Sequence, residues 1–149
     1  MTIVRYLGTP VALFIELQES LDGFQREVQL SSLDGAEPVG QDVVEGMVIE
    51  RDTFVDLRLA LHDQAVAAIE AGLEHADLEA EFPDDAADKV LMITAAARQA
   101  DQAAEEGRLL TPPVREEVRR VQTWMLAQVE AQLRGGPATP YDPDAGTAS

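Results

Sequence analysis

Leu78-Glu79-Ala80-Glu81-Phe82-Pro83 is the stretch on which the reading of this chain turns. Apolar and charged residues alternate strictly, so one face of a strand buries Leu78, Ala80 and Phe82 while Glu79 and Glu81 meet water. Pro83 follows, and helical periodicity takes over across residues 84–106. The same order opens the chain. Residues 3–7 (Ile3-Val4-Arg5-Tyr6-Leu7) lead through Gly8-Thr9-Pro10 into a helical stretch over 11–30. Pro10 and Pro83 occupy equivalent places, each suited to the first turn of a helix, where a missing N–H costs nothing. A second long helical stretch follows each unit. The expected fold is therefore mainly α: four long helices in a bundle with two short β-strands, built as two β-α-α halves. Residues 1–136 form a single helical-bundle domain and residues 137–149 an extended C-terminal tail that docks at most by its aromatic residue.

Two strands of this kind pair into a ribbon that needs the helices for stability. Both faces of the first are expected to be at least half buried, and Arg5 should lie across from Glu79 or Glu81. In the first helix Leu13, Leu17, Leu21, Phe24 and Val28 form one apolar stripe. Gly23 interrupts it, marking a close crossing or a weak spot. Residues 31–40 read as a turn-rich link punctuated by Asp34-Gly35 and Pro38. The second helix is expected over 42–72, with Gly46 as an early break. It carries two apolar sets, Phe54, Leu57, Leu61 and Ala68 on one side and Val55, Leu59, Val66, Ile69 and Leu73 on its neighbour. An arc that broad implies a central helix or a homodimer seam, and the several alanines favour central burial. The third helix, 84–106, buries Val90, Ile93, Ala97, Ala100 and Ala104 and ends at Gly107. The last starts at Thr111-Pro112-Pro113, with Val114, Val118, Val121, Met125 and Val129 as its stripe.

The chain has 149 residues, 46% of them hydrophobic, enough for one domain with a core. It holds no cysteine, which removes disulfides, thiolate metal sites and cysteine nucleophiles. No run approaches the roughly 20 apolar residues of a membrane span, and no leader pattern opens the chain, so a cytoplasmic protein is expected. The net charge of −17 argues against nucleic acid or anionic lipid as partners. Residues 108–134 depart from that balance, with five arginines against three acids. That helix either docks inside the molecule, the favoured reading, or meets an acidic partner.

Candidate chemistry is sparse. Arg58-Leu59-Ala60-Leu61-His62-Asp63 resembles the phosphoacceptor box of histidine kinases, but no nucleotide-binding segment follows, so His62 reads first as a surface histidine. Carboxylate pairs such as Glu16 with Glu19, or Glu70 with Glu74, lack the Glu-x-x-His motifs of di-iron bundles. Neither a nucleophile elbow, a P-loop nor a dinucleotide fingerprint is present. No enzyme, no cofactor and no metal are expected. Trp124, with Arg120 one turn before it, is either the rim of the core or an interface anchor. Glu19, Asp22 and Arg26 line one face of the first helix, as an internal bridge to the arginines of the last helix or as a surface for a partner.

Leu7-Gly8-Thr9-Pro10-Val11, then Gln18-Glu19-Ser20-Leu21-Asp22-Gly23-Phe24-Gln25-Arg26-Glu27, together with Pro113-Val114-Arg115 through Trp124 to Pro137-Ala138-Thr139-Pro140-Tyr141, resembles a group of uncharacterised proteins of about 150 residues from high-GC bacteria. Those read L-G-x-P-V, Q-E-H-x-D-x-L-x-R-E-F, P-P-E-V, R-R-W and P-x-P-W in this order. The chain departs from them at Ser20, where histidine is usual, at Gly23, and at Tyr141, where tryptophan is. Members are often encoded beside serine phosphatases, anti-sigma factors and their antagonists. The resemblance implies a role in stress or sigma-factor partner switching. With no catalytic motif present, a non-catalytic regulatory protein acting by contacts with other regulatory proteins is expected, and the broad apolar arc of the second helix adds a second copy of the chain as a partner. The interaction candidates are Glu19, Asp22, Arg26, Arg120, Trp124 and Tyr141. A histidine phosphotransfer protein using His62, or a small-ligand sensor with a pocket between its helices, stands as the alternative.

Overall fold

The computed structural model describes residues 1–33, 35 and 39–144. Its elements run β1 (Thr2–Pro10), α1 (Val11–Leu33), α2 (Gln41–Thr53), α3 (Val55–Glu70), β2 (His75–Phe82), α4 (Ala87–Glu105) and α5 (Glu116–Leu133). The protein is mainly helical, with a two-stranded antiparallel ribbon. Of the expected link, Asp34 and Pro38 lie outside the described residues, and α1 runs on to Leu33 before it.

Among the described residues five helices stand where four were expected, because the segment 42–72 is not one rod. It divides at Phe54, whose backbone leaves helical geometry at φ −112° and ψ 18°. The reason is packing: α2 lies along α4, whereas α3 lies against β2 and α1, and a straight helix cannot do both. Phe54 is buried at the bend, 5.8 Å from the ring of Phe82. Gly46 is not the break. A Cβ at Gly46 would collide with the Cβ of Ala96 and lie 3.1 Å from the Met92 carbonyl, so the glycine lets α2 touch α4. Two other helix starts move inward. Pro83 stands before a turn closed by the Ala86 N–H on the Pro83 carbonyl, and α4 begins only at Ala87; α5 begins at Glu116, beyond both prolines. Pro10, by contrast, abuts α1.

In the ribbon Val4 pairs with Ala80 and Tyr6 with Leu78, all four buried, and Arg5 faces Glu79 at 3.6 Å between Nε and Oε2. Ile3 is exposed beside Arg5, so β1 buries one face, not two. Between Tyr6 and Thr9 the register slips. Gly8 takes φ +68° there, a conformation open to glycine, and the Thr9 hydroxyl closes the kink on the Tyr6 carbonyl at 2.9 Å.

A two-stranded ribbon leaves both outer edges with unpaired backbone groups. Glutamines close them. Arg5 and Glu79 are a non-hydrogen-bonded pair of the antiparallel ladder, so their own N–H and C=O groups point outward. Gln132 of α5 accepts from the Arg5 N–H and donates to its carbonyl, both at 2.8 Å. Gln64 of α3 does the same for Glu79, at 2.9 and 2.8 Å. Each edge thus receives one side-chain amide in place of another strand.

The core follows the stripe of the last helix in full: Val114, Val118, Val121, Met125 and Val129 are all buried. In α1 Leu17, Phe24 and Val28 are buried while Leu13 and Leu21 are half-buried; in α4 Val90, Ala100 and Ala104 are buried, Ile93 and Ala97 half-buried, and the face turns to include Ala96 and Ala103. The basic surplus of residues 108–134 is largely taken up inside the molecule. Arg115 makes a two-pronged pair with Glu16 at 2.7 Å, and Arg119 meets Asp101 at 2.6 Å and Glu105 at 2.8 Å. Glu27 receives the N–H groups of Leu110 and Thr111, both at 2.6 Å, and the Thr111 hydroxyl. That pins the α4–α5 connection to α1 where Gly23 leaves room: a Cβ there would come within 3.1 Å of Thr111.

Candidate functional site

Large side chains on α1 face small ones on α4, and the two do not fill the space between them. Phe14, Leu17 and Phe24 form one wall of a cavity of about 170 Å³, and Ala96, Ala97 and Ala100 another. Met125 and Val129 of α5, Phe82 of β2, Phe54 at the bend and Gly46 of α2 complete an almost wholly apolar lining. Among its polar members is Tyr6, brought in on the buried face of β1. Tyr6 is 2% exposed, and no group of the described residues hydrogen bonds its hydroxyl. Burial alone pushes its pKa up, so the phenol stays protonated and keeps a donor with nothing to donate to.

The lining turns polar where α1 meets the α2–α3 bend. Arg58 of α3 reaches Glu50 of α2 at 3.2 Å and Asp22 of α1 at 3.4 Å, and the Gln25 amide donates to Glu50 as well. Arg58 and Glu50 are mostly buried, Asp22 about half exposed. Three helices are thereby tied at one rim of the cavity, with two carboxylates to one guanidinium. Next to this cluster Gln18, itself buried, faces His62 at 2.8 Å from Oε1 to Nδ1. An amide oxygen only accepts, so Nδ1 donates to it. His62 is exposed, as is Asp63.

The sequence candidates divide. Asp22 bridges to Arg58 of α3 and not to the last helix, while Glu19 and Arg26 remain on the exposed side of α1. Arg120, Trp124 and Tyr141 come together, but inside the molecule. The Trp124 ring sits edge-on to Tyr6 at 6.0 Å and to Tyr141 at 5.2 Å, and its indole N–H donates to the Thr139 carbonyl at 3.0 Å. Arg120 donates to the Pro143 carbonyl, the Tyr141 N–H to the Leu7 carbonyl, and the Thr139 N–H to Gln128. The tail through Asp144 docks by its backbone as much as by its aromatic residue, and Trp124 is occupied by it. The second helix is not central throughout: Leu59, Ile69 and Leu73 are 54%, 46% and 51% exposed. Central burial, the favoured reading, holds for Phe54, Leu61 and Ala68 and fails for this outer stripe.

Tyr6, Glu50, Arg58, Gln64 and Gln132 were not singled out by the sequence. Gln128 and Gln132 did carry a signal, since they lie on the side of α5 that buries Val121, Met125 and Val129. A glutamine on such a face must find a partner. Nothing local marked Tyr6, because an aromatic residue in a strand reads as core. Among the described residues no cluster of three histidine or acidic side chains is placed to hold a metal ion, and no helix is long and apolar enough to cross a membrane. Comparison with protein-family models, curated proteins and solved structures finds no match for the chain.

Proposed function

We propose that this is a non-catalytic regulatory protein that binds a small apolar molecule between its helices and acts through contacts with other regulatory proteins. The observation that carries the reading is the apolar cavity with the unpartnered Tyr6 hydroxyl on its wall. A dry cavity of about 150 Å³ holds a benzene ring, so about 170 Å³ is room for a ligand of that class. Its walls come from α1, α2, α3, α4 and α5 and from both strands, so a molecule filling it touches each of these elements at once. Occupancy stabilises the folded protein by about 2.7 kcal/mol at a hundredfold excess over Kd. A cytoplasmic setting and a role in stress or sigma-factor partner switching rest on the resemblance of the chain's two ends to the high-GC bacterial group.

A homodimer belongs to the same proposal. Leu59, Ile69 and Leu73 are exposed, with Val55 and Val66 half-buried in the same row, along one side of α3 and the turn after it, a stripe whose spacing suits helix-on-helix packing. The test of the central claim uses Trp124, the chain's one tryptophan, whose ring is 6.0 Å from Tyr6. Titration with benzene and indole-free monocyclic probes should change Trp124 fluorescence and raise Tm. Ala100→Leu, which fills the cavity, should abolish both responses with the circular dichroism spectrum retained. No response from the parent protein across such a panel ends the reading.

A further inference from the structure

The cavity specifies more than apolarity. On the footing that it is a ligand site, we propose that its ligand is an uncharged molecule of single-ring size bearing one acceptor oxygen, a ketone, ester or ether, seated with that oxygen on the Tyr6 hydroxyl. Size comes from the volume of about 170 Å³. The acceptor comes from Tyr6: its buried hydroxyl has no partner among the described residues and shares the wall with Phe14, Leu17, Ala100 and Met125, whereas Gln122, the other polar lining residue without a hydrogen bond, is only half buried. A buried donor is costly to leave unmade, and an acceptor oxygen supplies what is missing.

Neutrality comes from the rim. Glu50 is already engaged by Arg58 and Gln25, and Arg58 is shared between Glu50 and Asp22. The excess charge there is negative, as it is over the whole chain at −17. An anion would have to pass two carboxylates and lie against hydrocarbon. A cation would find Glu50 already taken.

Three probes of nearly equal shape separate these points: isopropylbenzene, acetophenone and benzoate, titrated calorimetrically at pH 7 into the full chain and into Tyr6→Phe. The phenylalanine ring keeps the packing against Trp124, and circular dichroism checks that the variant folds. Acetophenone should bind the parent protein and weaken roughly fivefold to tenfold in Tyr6→Phe, the worth of one hydrogen bond. Isopropylbenzene should bind both with less than about a twofold difference, and benzoate neither. Equal binding of acetophenone to both proteins overturns the acceptor assignment while leaving the cavity a ligand site, if isopropylbenzene still binds. Benzoate binding as tightly as acetophenone overturns neutrality. Failure of both neutral probes removes the ligand site itself.

Discussion

The two edges of the ribbon are closed by the same chemistry and finished differently. At β1, Gln132 is buried, donates to Gln128 at 3.1 Å as well as to the strand, and is roofed by the tail, whose Tyr141 N–H adds a bond to Leu7. At β2, Gln64 is only half buried and works alone, and the α3 surface outside it keeps Leu59 and Ile69 in water. An amide that closes a strand edge is indispensable where water cannot replace it and optional where water can. The roofed edge faces inward through Trp124 to Tyr6 and the cavity. The open edge lies beside the stripe on which a second copy is proposed to sit.

Removing the buried amide should have the largest effect. Gln132→Leu strands the Arg5 N–H and carbonyl and deprives Gln128 of a donor, at a cost of about 3 kcal/mol or more, measured as a fall in the urea midpoint. Next comes Trp124→Ala, which takes away the ring between Tyr6 and Tyr141 and the hold on Thr139. A loss of about 2–3 kcal/mol is expected, with proteolytic cleavage appearing first in residues 137–144. Gln64→Leu should cost only about 1 kcal/mol, since water can reach the Glu79 groups. If the two glutamine variants prove equally damaging, the contrast between the edges is mistaken. Native-state hydrogen exchange gives a finer measure: the Arg5 amide should exchange more slowly than that of Glu79.

Acid supplies the smallest effect and a control. The Arg115 hydrogen bond holds the Glu16 carboxyl below its ordinary value. At Glu27 desolvation pushes upward, but the bonds from Leu110 and Thr111 outweigh it and the pKa is again lowered. Depressed carboxylate pKa values contribute stability above the unfolded value of about 4.3, and that contribution disappears as the pH falls through the folded values. Exchange should therefore quicken below about pH 4 at the Leu110 and Thr111 amides. The Arg5 and Glu79 amides, held by groups that do not titrate, should change no more than their intrinsic rates do.

Much of the frame was legible in local pattern. The alternation of Leu78 to Phe82 is a property of the strand itself, and the stripe from Val114 to Val129 needs only a helical period to be seen. The opposed charges of Arg5 and Glu79 are likewise enough to suggest their register. The break at Phe54 was missed although Thr53 and Asp56 have the spacing of a capping box, because no proline stands there and the apolar pattern runs on through it; no side chain caps α3 at Phe54, and the bend exists because α4 draws one half and β2 with α1 the other. Gly46 was noticed for the wrong reason, since a glycine needed for close contact and one that weakens a helix look alike until the neighbour is known. The cavity was beyond reach for a similar cause. Phenylalanine and leucine stripes on α1 and alanines on α4 each read as good packing faces, and only their juxtaposition shows that their volumes do not add up to a filled core.

The chain by itself determined the helical character, the two strands and the apolar faces, since these depend on periodicities of two and 3.6 residues that any short window contains. It also determined the absence of thiol chemistry and the acidic field. Tertiary structure decided which helix bends, which glutamine closes which edge, where the tail lies, and that Tyr6 is left with a free hydroxyl beside open space. Those outcomes depend on what residues far apart in sequence leave unfilled or unpaired when they meet, and no window of sequence holds both members of such a meeting.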